Sequence, residues 1–378
     1  MTTNPIKPTR RDYVDWLRVL AVLLLMLNHT ACIFDIFLPF YIENAQKSKV
    51  LSYLFLNGFE PWHMPLFFLL AGASTWFALS FRSAGEYVAE RFKRLIIPFI
   101  FAQLVLIPPQ SYIGLRSHKG YTGSFWQFYP RFFEMNPEGI EGYTGGYTPG
   151  HLWFVPVLFI LAMVALPGFL FLKSKRGQRL IGGLAALCAR PGGLFLLVIP
   201  MVLMDRLPGV GPLNPFLYLT VFVYGFILMA DPRFTEAVDR HKGAALILGL
   251  VTLATMIGVP ALGIRLSPRL DAVLVAFYRS FTAWCCLVAL LGYGRKYLNL
   301  SGKVLQYASE AAYPFYILHQ TVIVLIGAVV VRWSIAVLPK FLIIAVASTI
   351  VSVLVYEVAI RHINVMRFLF GMKPKQRA

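Results

Sequence analysis

The sequence predicts an all-α integral-membrane protein with about ten transmembrane helices in one bundle and both termini in the cytoplasm. Three observations lead there. The 378 residues are 58% hydrophobic and 14% charged, with mean hydropathy +0.67, whereas soluble domains carry roughly 45–50% apolar and about 25% charged residues. Ten apolar runs approach the roughly 20 residues that a bilayer-crossing helix needs. Finally, the net charge of +18 is unevenly spread. With the N-terminus inside, the inner segments hold roughly twice the Lys and Arg of the outer ones, which is the positive-inside bias.

The elements follow in order. Residues 1–12 form a cytoplasmic tail carrying Lys7, Arg10 and Arg11. The first span, 13–38, is too long for a cleavable signal, contains Arg18, Asn28 and His29, and lacks a small-residue cleavage site. Spans 62–81 and 95–113 flank an inner segment with Arg82, Arg91, Lys93 and Arg94. A long outer loop, 114–150, is rich in Gly, Tyr and Pro and carries Trp126, Glu134, Glu138 and Glu141. A loop of that length is usually functional or disordered. Span 152–172 precedes a basic inner segment, in which the apolar piece 180–189 is too short to cross alone and extends the next helix or lies on the surface. Spans 192–204 and 216–230 are short and proline-rich. Spans 244–264, 271–293, 304–331 and 335–360 complete a transmembrane domain over 13–360, and 361–378 form a basic cytoplasmic tail.

Several function classes drop out. The basic residues are dispersed over short inner loops, so no nucleic-acid surface is expected. Cys32, Cys188, Cys285 and Cys286 sit in apolar runs without ligand spacing, so neither a disulfide framework nor a metal site is expected. The sequence leaves a homo-oligomer open.

Chemistry resides in polar residues placed where lipid should be, since ionisable groups inside a span are costly and face the bundle interior. Arg18 and His29 are eleven positions apart. That is about 1100°, roughly 20° past three turns, so they share a helix face about 16 Å apart along the axis. An Arg near the inner end suits phosphate or carboxylate, and a neutral His deeper in suits a general base. The plainer alternative is a snorkelling Arg and a hydrogen-bonded packing His. His63 opens the second span beside Trp62 at the outer interface, and His151 with Trp153 opens the fourth; an interfacial anchor is the plain alternative for each. The ninth span carries Gln306, Ser309, Glu310, Tyr313, Tyr316, His319 and Gln320 over about half its circumference. Such a stripe makes either a water-filled cavity or a structural network, with Arg279 of the eighth span an expected partner for Glu310.

Taken in order, these motifs resemble acyltransferase family 3, the integral-membrane O-acyltransferases of bacteria. The residues are Arg18 and His29 separated by ten residues; His63-Met64-Pro65-Leu66-Phe67-Phe68 running into Ala71-Gly72; Arg91-Phe92-Lys93-Arg94-Leu95-Ile96-Ile97-Pro98; His151-Leu152-Trp153-Phe154; and Tyr316-Ile317-Leu318-His319. Within the family, the tail from Tyr356-Glu357 to Arg367-Phe368-Leu369-Phe370-Gly371-Met372-Lys373-Pro374 is similar to the succinyltransferases of periplasmic glucans. The resemblance implies a bacterial inner-membrane enzyme that moves an acyl group, succinyl or acetyl, from cytoplasmic acyl-CoA to a hydroxyl of an extracytoplasmic glycan. It implies His29 as the catalytic residue, by a covalent acyl-His step or by direct transfer. Arg18, with Arg91 and Arg94 of the inner loop, would meet the donor. His63, His151, Trp153, Tyr316 and His319 would border the acceptor site, and Arg279 and Glu310 would be structural. No tightly bound cofactor is implied, since acyl-CoA is a co-substrate. The competing class is a proton-coupled secondary transporter of a small organic anion, which intramembrane Arg, Glu and His would also suit.

Overall fold

The computed structural model describes residues 11–135, 145–209, 213–261 and 268–375, the side chains of 260–261 and 268–273 apart. Among these residues the chain is helical, with no strand. Seven helices are long and apolar enough to cross a membrane: α1 (Asp12–Cys32), α2 (Lys49–Leu79), α6 (Gly150–Leu172), α10 (Pro232–Ala261), α11 (Pro268–Tyr297), α12 (Lys303–Val330) and α13 (Val337–Ile360). An eighth crossing is available if the bent pair α3 (Ala84–Val105) and α4 (Ile107–Lys119) is one span. The protein is a multi-pass membrane protein.

Several sequence expectations change in detail. The span expected at 95–113 is the bent pair, kinked by 40°. Pro108 and Pro109 have no backbone N–H, so the ladder breaks there. The Leu104 carbonyl, which Pro108 leaves without its ladder donor, accepts from Tyr129 Oη at 2.9 Å, and at the break Thr321 Oγ1 donates to Leu106 O at 3.0 Å. The first helix stops at Cys32 rather than residue 38, because the chain turns where Asp35 Oδ2 accepts the Leu38 amide. The spans expected at 192–204 and 216–230 are short apolar helices, α8 (Gly193–Asp205) and α9 (Pro215–Ala230). The 180–189 piece belongs to a separate helix, α7 (Lys175–Cys188), which buries Ile181, Ala185 and Cys188 on one face. Within the loop expected at 114–150, the described residues include further helix. Helix α4 continues to Lys119, and α5 (Phe125–Phe128) starts with a capping box between Ser124 and Gln127. Glu138 and Glu141 lie outside the described residues.

The chain forms two compact units. The first comprises residues 1–21, 60–89 and 160–306. Its centre is a close crossing of α2 and α9. A Cβ on Gly72 would lie 1.9 Å from Phe222 O, and one on Gly225 would lie 1.9 Å from Leu69 O, so only glycine permits this approach. Phe169 stacks on Phe226 beside it at 4.1 Å. Asn214 caps α9 through the Phe216 and Leu217 amides, while its Nδ2 donates to the carbonyls of Met204 and Asp205 at the end of α8. Trp284 Nε1 and Tyr224 Oη donate to Leu194 O and Leu197 O. The two short helices are therefore tied in by side chains rather than by length.

The second unit comprises residues 22–59, 90–159 and 307–378. It holds the end of α1, most of the bent pair, the head of α6, most of α12, and α13 with the terminal helix α14 (Asn364–Leu369).

Candidate functional site

In the second unit three histidines from three helices meet. His29 stands in the last turn of α1, His151 in the 3₁₀ turn that opens α6, and His319 in the middle of α12. His29 Nδ1 is 2.7 Å from His319 Nε2, with the rings nearly parallel at 10°. The His151 ring sits edge-on to both, 4.9 Å from His319 and 6.3 Å from His29 between centroids. His151 and His319 are buried.

The bonds to backbone carbonyls assign the tautomers. A carbonyl only accepts, so His319 Nδ1, 2.6 Å from Tyr316 O, carries a proton. In the neutral ring Nε2 is then the acceptor, and it accepts from His29 Nδ1–H. The basic lone pair of His29 therefore resides on Nε2. By the same logic His151 donates through Nε2 to Ile317 O at 3.1 Å, which leaves its buried Nδ1 as an acceptor with no hydrogen-bond partner. Tyr316 Oη donates to His151 O at 2.7 Å.

Behind these rings lies a buried amide and hydroxyl cluster. Gln320 Nε2 donates to Gln110 Oε1 at 3.0 Å, and Gln110 Nε2 donates to Thr321 Oγ1 at 2.6 Å. Gln103 Nε2 donates to Pro149 O at 3.3 Å, one residue before the turn that carries His151. Sequence reasoning did not single out Gln103, Gln110 or Thr321. Two glutamines seven residues apart in an apolar run were the available signal, since i and i+7 share a helix face.

The remaining expected residues have the following surroundings. Trp153 is half-buried in the turn with His151. Arg18, in the first unit, donates to Asp15 Oδ1 at 2.9 Å and to Ser74 Oγ at 2.8 Å, with 34% of its side chain exposed. His63 is not at an exposed interface. It is buried in the first unit and its Nε2 bonds Ala21 O at 2.9 Å. Arg91 ends the regular part of α3, and Arg94 lies in a π-helical turn, Phe92–Ile96, within that helix. Arg94 Nε donates to Gly371 O at 3.2 Å and its Nη1 reaches Glu90 at 3.5 Å. The expected Glu310–Arg279 pair is not formed. Arg279 pairs with Asp205 at 3.4 Å, and Glu310 accepts from Arg367 Nη2 at 2.7 Å. Arg367 belongs to α14, which returns to α12 because its guanidinium also donates to Lys373 O and Arg361 O. A linear pattern of charges carries no information about such a return. Among the described residues no group of three or more His, Cys, Asp or Glu could hold a metal ion.

A family model described as an acyltransferase domain matches residues 11–357. The chain belongs to acyltransferase family 3. No curated protein and no solved structure matched it. The acyltransferase thus carries its three-histidine contact wholly within the matched residues, and only residues 1–10 and those after Glu357 lie outside the match.

Proposed function

We infer that this acyltransferase moves an acyl group from a cytoplasmic acyl-CoA to a hydroxyl of an extracytoplasmic glycan, across a bacterial inner membrane. In this reading α8 and α9 complete ten crossings, and both termini are cytoplasmic. The tail from Tyr356 to Pro374 resembles that of glucan biosynthesis protein C, which favours a succinyl group and a periplasmic glucan. The observation that carries the reading is the directed bond from His29 Nδ1 to His319 Nε2.

The chemistry follows from the tautomers. His29 Nε2 takes the proton of the acceptor hydroxyl as that oxygen attacks the thioester carbonyl carbon. The tetrahedral intermediate then collapses with cleavage of the C–S bond, and the departing thiolate takes the proton back from His29. While His29 is an imidazolium, His319 Nε2 accepts its Nδ1 proton and keeps the ring oriented. His319 is thus a positioning residue, itself held by Tyr316 O. Arg18, Arg91 and Arg94 supply cations for the donor's phosphates, and His151 with Trp153 borders the acceptor.

The test uses purified protein in lipid nanodiscs with succinyl-CoA or acetyl-CoA and a glucan acceptor. Thioester consumption and acylated glucan should appear together. His29→Ala should lower transfer by about 10²–10⁴-fold, as loss of a general base does, at unchanged melting temperature. Substantial transfer by folded His29→Ala overturns the assignment. An ion-coupled carrier would consume no thioester.

A further inference from the structure

A second set of polar side chains in the same unit has no part in the transfer step. Ser309, Tyr313 and Tyr316 follow at i, i+4 and i+7 along α12, within roughly 60° of arc. Tyr316 is engaged with His151 O. The hydroxyls of Ser309 and Tyr313 are buried and have no hydrogen-bond partner. Native structures pair such groups almost always, so two on one helix face, one turn apart, call for an acceptor that the folded chain does not supply.

The line on which they stand leads to the histidine that holds His29, with a cation at its side. The cation is Arg94, its side chain 51% exposed and its Nε on Gly371 O. Gly371 joins Arg94 to Tyr313: a Cβ there would lie 2.8 Å from Arg94 O and 2.7 Å from Tyr313 Cε1. The Tyr313 ring is parallel to that of Tyr316 at 6.2 Å, and Tyr316 is 5.8 Å from His319, which holds His29. From Ser309 to His319 is about 15 Å along the helix axis. Along α12 the order is therefore Ser309, then Tyr313 with Arg94 beside it across Gly371, then Tyr316 and His319.

Acyl-CoA offers groups that match these: phosphates for the cation, two amide groups along an otherwise flexible arm for the O–H donors, and the thioester for the base. We propose that the Tyr313 and Ser309 hydroxyls donate hydrogen bonds to the amide carbonyls of the pantetheine arm, so that Arg94, Tyr313 and Ser309 guide the thioester to His29. This rests on the acyl-CoA reading above and adds to it the recognition of the donor's uncharged middle. It predicts that the enzyme discriminates between thioesters by their arms as well as by their phosphates.

The test compares three donors of one acyl group: the CoA ester, the N-acetylcysteamine ester, which keeps one amide, and an acyl thiophenol, which keeps none. For Tyr313→Phe and Ser309→Ala, KM for acyl-CoA should rise by about three- to tenfold, the worth of one hydrogen bond, with a melting temperature like that of wild type. For the thiophenol ester the ratio of mutant to wild-type KM should fall to near one. An equal rise for all three donors assigns the hydroxyls to packing and overturns the proposal, as does no rise for any donor. If Tyr313→Phe does not fold, Ser309→Ala alone decides by the same ratios. If wild-type protein transfers from no thioester, the acyl-CoA reading falls and takes the proposal with it. If it transfers and the ratios do not separate, only the arm site falls.

Discussion

Tyr316 and His151 hold each other through the backbone: the Tyr316 hydroxyl donates to His151 O at 2.7 Å, while His151 Nε2 donates to Ile317 O at 3.1 Å. This reciprocal pair locks the opening turn of α6 onto α12. Tyr316→Phe should leave the buried His151 carbonyl unsatisfied and cost roughly 1–3 kcal/mol. Calorimetry of the purified variant checks the loss of melting temperature. Because the turn that carries His151 then loses one of its two ties to α12, acceptor KM should rise more than donor KM.

The His29–His319 bond can be tested by restoring its acceptor. His319→Ala removes the atom that accepts His29 Nδ1–H, and turnover should fall by one to two orders of magnitude, a share of the 10²–10⁴ typical of acid–base catalysis. His319→Gln keeps a side-chain oxygen that can accept, and should recover part of that loss. Equal turnover in the two folded variants would show that the ring serves packing alone.

Arg18→Ala should weaken acyl-CoA binding more than acceptor binding, and Lys should rescue only in part because it lacks the planar fork. Its present bonds to Asp15 and Ser74 hold that fork in place. Donor affinity by calorimetric titration decides, and an unchanged value would leave Arg18 a structural cation.

Glu310 and Arg367 form a pair whose arginine side is buried and whose acid side is 37% exposed. Glu310→Gln should therefore cost roughly 1 kcal/mol or less, since the exposed partner is screened by solvent. Arg367→Ala also loses the bonds to Lys373 O and Arg361 O and should cost about 3 kcal/mol. Turnover per folded molecule should stay nearly constant for Glu310→Gln.

At the α2–α9 crossing, Gly225→Ala would bring a methyl group to 1.9 Å from Leu69 O. The helices must separate, at a cost of about 1–3 kcal/mol or more. Reduced yield and a lowered melting temperature in detergent are the expected outcomes.

The long apolar helices were legible in the sequence because hydropathy and helical period act on the same residues. α1, α2, α6 and α10 to α13 each coincide with an expected span, ends aside. The bend at Leu106 was harder to see. Pro108 and Pro109 signal a break, but the hydroxyls that make it tolerable come from Tyr129 and Thr321, one loop and one distant helix away. The polar stripe of α12 was visible as a stripe, whereas its partners were not. Glu310 finds Arg367 through a terminal helix whose basic character alone suggested a tail. Charge pattern says that a buried ion needs a counter-ion; it does not say which one.

The kink in the α3–α4 pair has a consequence for where the reaction occurs. The Leu106 carbonyl at the break is bonded by Thr321, and Gln110 just beyond it is bonded by Gln320 and Thr321. These attachments fix the axial register of α12 against α4, since a slip of a single residue, about 1.5 Å, would break all three. His319 directly precedes them in the chain, so its height along α4 is set by a break on another helix. In the proposed mechanism the acceptor that orients His29 is then stationary, and the substrates are the parts that travel.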